Sequence, residues 1–66
     1  MQLKQALSLH GYKVVDLFRR LEKKCVVNYQ QIAMYCRCSN RSRHDPLVWA
    51  WIMDELKEMG VTWIER

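Results

Sequence analysis

Apolar residues recur along this chain in two different rhythms. Leu3, Ala6 and Leu7, and then Val14, Leu17, Phe18 and Leu21, stand three and four positions apart. That spacing places side chains on one face of an α-helix. It predicts a short helix over residues 2–9 and a longer one over 12–24. His10-Gly11 separates them, because glycine takes the left-handed conformation of a helix end cheaply. Lys23 and Lys24 would then sit in a last turn, where positive charge suits the helix dipole. A rival reading joins the two pieces. Leu3, Leu7, His10, Val14, Leu17 and Leu21 follow the alternating four-three spacing of a coiled-coil seam, and an unbroken helix would favour a dimer. A mid-helix Gly11 would cost about 1 kcal/mol relative to Ala, so the break is preferred.

Beyond residue 24 the pattern changes twice. Cys25-Val26-Val27 is short and β-prone. Asn28 is a good helix N-cap with Gln31 three positions on, and Ile32, Ala33 and Cys36 would face inward from the helix that follows, with Tyr29 or Tyr35 at its edge. Residues 37–45 carry no aliphatic side chain and read as a loop. Asp45-Pro46 then opens another helix, with aspartate as cap and proline at the first helical position. Trp49, Ile52, Met53, Leu56 and Met59 form its core face, and Gly60 ends it. Val61-Thr62-Trp63-Ile64 alternates with the period of a strand, for which residues 25–27 are the available partner. The predicted fold is mostly α: a small helix-turn-helix domain of three to four helices with a minimal two-stranded β element.

Sixty-six residues make one small domain, residues 1–66, with a core that dimerisation would strengthen. A substrate pocket with its own scaffold is not expected at this size. The net charge of +4 is unevenly spread: residues 1–46 hold nine Lys/Arg against three acids, and residues 47–66 hold two against four. A basic region of this kind attracts phosphate backbones, an anionic protein or an anionic membrane, or is simply a solvated surface; the membrane ranks low because the first helix needs its apolar face for the core. The three cysteines, Cys25, Cys36 and Cys38, are an odd number, and no signal-peptide pattern precedes them. They point to a reducing cytoplasm rather than a disulfide framework. No run approaches the roughly 20 apolar residues of a membrane span.

The order helix, short strand, helix, turn, helix, strand over residues 12–66 resembles the winged helix-turn-helix family. MDELKEMGVTWIER, residues 53–66, is similar to the end of a recognition helix running through a glycine into the first wing strand. VVNYQQIAMYC, residues 26–36, is similar to a strand entering the first helix of the motif. The resemblance implies binding of double-stranded DNA by a small transcriptional regulator, as a possible homodimer. The start of its last helix would face the groove, bringing Asn40, Arg41, Ser42, Arg43 and His44 there. Arginine can pair with guanine and asparagine with adenine through two hydrogen bonds. Arg37, Lys23 and Lys24 would contact phosphates, which position a protein without reading sequence. Asp54, Glu55 and Glu58 make the later turns of that helix acidic, so only its beginning could dock.

A second reading is a small protein-interaction adaptor or inhibitor. Trp51 lies off the Trp49–Ile52–Leu56 stripe, and an exposed tryptophan is a common interface anchor; Tyr35 and Tyr12 would complete an aromatic patch. RNA is a third candidate partner, since a basic loop with an exposed aromatic suits single-stranded bases. Cys25, Cys36, Cys38 and His44 are the only candidate metal set, but C-x-C departs from the usual zinc spacing, and buried thiols act as small hydrophobes. No metal or cofactor is therefore assigned. Enzymatic activity is not expected either: there is no phosphate-cradling glycine loop, and the Cys38/His44 pair lacks an orienting partner.

Overall fold

The computed structural model describes residues 1–65 and contains α1 (Leu3–Leu9), α2 (Val14–Glu22), α3 (Tyr29–Cys36) and α4 (Pro46–Met59). Each helix starts and stops where its sequence offers a partner for the end groups. Gln5 Oε1 accepts from the Gln2 backbone N–H at 2.9 Å, and Asp16 Oδ2 accepts from that of Lys13 at 2.7 Å. Asn28 caps α3 by accepting from Gln31 N–H at 2.8 Å, and Asp45 caps α4 by accepting from Leu47 N–H at 2.9 Å. The breaks after α1 and α4 have one design. Gly11 (φ +79°) and Gly60 (φ +73°) are left-handed. The residues after them, Tyr12 and Val61, donate back to Leu7 and Leu56 carbonyls at 2.9 Å, the Schellman closure of a helix end. Gly11 thus divides α1 from α2, and the continuous seam through His10 does not form.

α2 packs on both α3 and α4, and α1 packs on α3. Leu3, Ala6 and Leu7, Leu17 and Leu21, Ile32 and Cys36, and Val48, Trp49, Ile52 and Leu56 converge on one core, closed at its edge by Val61 and Trp63. Met53 and Met59, expected inside, pack half-buried against it.

The predicted β element is not present among the described residues. Residues 61–64 do alternate, with Val61 and Trp63 buried and Thr62 and Ile64 exposed, but they run beside the amino-terminal segment instead of residues 25–27. Thr62 N–H donates to His10 Nε2 at 3.3 Å, the Met1 ammonium to the Ile64 carbonyl at 3.2 Å, and the Trp63 indole to the Met1 carbonyl at 2.9 Å. With those groups engaged, the tail makes no ladder. Val26, the intended partner strand's centre, projects fully into solvent. Burial of one face alone therefore produces the alternation. Among the described residues no helix is long and apolar enough to cross a membrane.

Candidate nucleic-acid interface

Loop 37–45 joins α3 to α4, and both flanking elements hold it. Cys38 N–H donates to the Tyr35 carbonyl, and the Cys38 carbonyl accepts from Leu3 N–H, each at 3.1 Å. The Tyr35 hydroxyl accepts from Asp45 N–H at 3.0 Å, and the Trp49 indole donates to the Arg43 carbonyl. A line of rings backs the loop: His44 lies 4.9 Å from Tyr35, Tyr35 4.9 Å from Trp49, and Trp49 stacks 5.4 Å from Trp63. His44 adopts φ +70°, a left-handed conformation uncommon outside glycine but several-fold enriched in histidine. These contacts fix the loop against an aromatic wall that reaches the core.

On this platform Arg37, Asn40 and Arg43 come together, with Cys38 and Ser39, around a concavity of about 310 Å³. Both arginines are exposed and have no carboxylate partner among the described residues. Arg41 faces elsewhere. Its Nε and backbone N–H both donate to Glu65 Oε1, at 3.0 and 2.9 Å, and it lines a second, open concavity of about 580 Å³ with Ser42, Pro46, Trp49, Ala50 and Glu65. Asn40 borders both concavities. Its Oδ1 accepts from the Ser42 N–H at 3.0 Å and from the Ser42 hydroxyl, which leaves its amide N–H₂ to donate.

The remaining candidates are dispersed. Lys24 belongs to another face: its ammonium donates to Glu55 at 2.9 Å and Glu58 at 3.4 Å, while Arg20 reaches the same two carboxylates at 2.9 and 3.3 Å. Hydrogen bonding to Glu55, then to Glu58, raises the Lys24 pKa. Burial pushes the Glu55 carboxyl upward, but hydrogen bonds from Lys24 and Arg20 together outweigh it and hold the group below its ordinary range. Glu55 lies nine residues along α4 from Pro46, roughly 14 Å at the helical rise, so Lys24 does not join the loop arginines. Lys23 is exposed at the end of α2 with no ion-pair partner among the described residues.

Nor do the three aromatic candidates form one patch. Tyr35 is 3% exposed: the ring that was expected at an edge is a core residue supporting the loop, because its hydroxyl finds a backbone donor at Asp45. Tyr12 is half-buried, its hydroxyl donating to the Met59 carbonyl at 3.4 Å. Trp51 is half-buried in a groove between α2 and α4 beside Leu21, Cys25 and Lys57. No group of three or more His, Cys, Asp or Glu among the described residues is placed to hold a metal ion. Cys36 is fully buried, and desolvation, aided by nearby Cys38, pushes its thiol up to about 12.

Sequence reasoning missed Glu65, Ser39 and the Arg20–Lys24–Glu55–Glu58 cluster. The cluster had a signal: Arg20 and Lys24 are one helical turn apart, as are Glu55 and Glu58, which matches the two pairs face to face. Glu65 had none, since its role depends on where the tail folds. Comparison with protein-family models, curated proteins and solved structures returns no match for this chain.

Proposed function

We propose that this protein binds DNA through loop 37–44, with Arg37 and Arg43 gripping backbone phosphate and Asn40 and His44 beside them. The observation that carries this reading is the concavity where Arg37, Asn40 and Arg43 meet with no neutralising carboxylate among the described residues. Two guanidiniums there offer paired N–H donors to phosphate oxygens. Laying α4 along a groove is disfavoured, because Asp54 and Glu58 are exposed along its length. Docking by the loop and the first turn of α4 avoids them. Transcriptional regulation by site occupancy, by a monomer or a homodimer, belongs to the same proposal.

The test is fluorescence anisotropy with a labelled duplex at several salt concentrations. Affinity is expected to fall steeply with salt, and Arg37→Ala with Arg43→Ala should reduce the slope of log K against log salt by about 1.8, two phosphate contacts at about 0.9 each. An unchanged slope removes these arginines from the interface. A protein-binding role is favoured by a separate observation, the half-buried Trp51 in its groove; it predicts partner binding that resists salt and is lost in Trp51→Ala.

A further inference from the structure

The two concavities that meet at Asn40 differ in charge. One holds Arg37 and Arg43, which have no partner carboxylate among the described residues. Among the described residues the other is locally neutral: its single cation there, Arg41, is paired with Glu65 at 3.0 Å, and its apolar lining comes from Pro46, Trp49 and Ala50. A cationic hollow beside a neutral, partly apolar one matches a nucleotide, whose phosphate carries the charge and whose base has an apolar face with a polar edge.

We propose that the pair of concavities holds one unpaired nucleotide of a DNA strand, its phosphate on Arg37 and Arg43 and its base between the loop and the first turns of α4. The base hollow, about 580 Å³, falls within the roughly 300–1,000 Å³ of small-ligand sites. Polar groups for a base edge are present on its rim. The Asn40 amide N–H₂ is free to donate, because its oxygen is occupied by Ser42. Glu65 Oε2 has no donor among the described residues, because Arg41 engages only Oε1. All four bases offer both a donor and an acceptor, so this edge tolerates sequence. The loop's attachment through the Trp49 indole and the Tyr35 hydroxyl holds the hollow open before binding. A base inside a hollow between loop and helix is out of the stack and unpaired, so a continuous duplex would reach only the arginines.

This inference rests on the DNA-binding reading, and one experiment separates the two. Anisotropy at fixed salt compares a labelled single strand, the same strand in a perfect duplex, and that duplex with one bulged base. The single strand and the bulged duplex are expected to bind at least about tenfold more tightly than the perfect duplex, as about two net hydrogen bonds at the base edge supply. Ala50→Trp, at an exposed helical position, fills the base hollow and should bring all three ligands to one affinity; circular dichroism verifies its fold. Equal binding of the three by the unaltered protein, or a preference that survives Ala50→Trp, overturns the inference and leaves duplex binding standing. Binding of none of them at low salt overturns both.

Discussion

Among the described residues the carboxylate of Glu55 is the one charged group in the core, and its partners are not buried with it. Its side chain is 4% exposed, whereas those of Arg20 and Lys24 are 42% and 57% exposed. Removing the acid and removing the bases therefore have unequal consequences. In Glu55→Gln the two cations return to water or to Glu58, and the change should stay within about 1 kcal/mol, as for an exposed pair. In the double variant Arg20→Met with Lys24→Met, the buried carboxylate is left alone beside Glu58. Because both bases are about half exposed, the cost is discounted from that of a fully buried pair to about 1–3 kcal/mol, that of leaving the Glu55 carboxylate without its donors. Against a total stability of about 3–10 kcal/mol for 66 residues, that is a large fraction, readily measured at neutral pH. The pH dependence should reverse as well. In the native protein the Glu55 pKa is lowered, so its contribution is present above the unfolded value of about 4.3 and is lost as pH falls through the folded value. The Lys24 pKa is raised, so its contribution is present below about 10.4 and is lost as pH rises through the folded value. Stability from the pair should thus be level from about pH 5 to 10. In the double variant burial acts unopposed and raises the Glu55 pKa, so stability should increase as pH falls from 7 toward 5. Urea unfolding followed by tryptophan fluorescence and far-UV circular dichroism measures both effects. A double variant that loses less than about 1 kcal/mol at pH 7, or whose stability does not rise between pH 7 and 5, would refute the argument.

Two further outcomes follow from the core and its cysteines. At about pH 8 a thiol reagent should modify Cys25 and Cys38 in the folded protein and reach Cys36 only on unfolding, because Cys36 is fully buried with its thiol pushed up to about 12; equal labelling rates by mass spectrometry would contradict this. Trp63→Ala should cost about 3–5 kcal/mol in urea unfolding, since it removes the stack on Trp49 and the bond that fastens Met1; a loss under about 1 kcal/mol would mean that the tail does not close the core.

Most of the fold was legible because its signals are local. Asn28, Asp45-Pro46, Gly11 and Gly60 set helix ends through hydrogen bonds spanning a few residues, and helical periodicity marked the faces that meet in the core. The tail failed as a strand for a non-local reason. Alternation in Val61-Thr62-Trp63-Ile64 reports that one face is buried, but it does not say against what. The choice between residues 25–27 and Met1 depends on where α1 lies, and no short-range pattern carries that. Tyr35 was misjudged for a related cause. Its position on α3 is ambiguous until the loop brings the Asp45 N–H to its hydroxyl, after which full burial leaves no polar group unpaired.

The basic loop could be recognised from composition, but its internal division could not. Arg37, Arg41 and Arg43 look equivalent in sequence, and the tail makes them unequal by delivering Glu65 to Arg41 alone. The residues that fail to form a wing therefore still act on the loop. They neutralise one arginine, leave two free around Asn40, and support the aromatic wall through Trp63. A wing strand would have offered a backbone edge to the proposed DNA partner, whereas a tail folded against Met1 would leave that contact to side chains of the loop. For that reason substitutions at Glu65 and Trp63, both outside the loop, are expected to alter the proposed binding, the first by releasing Arg41 and the second through the wall behind Arg43.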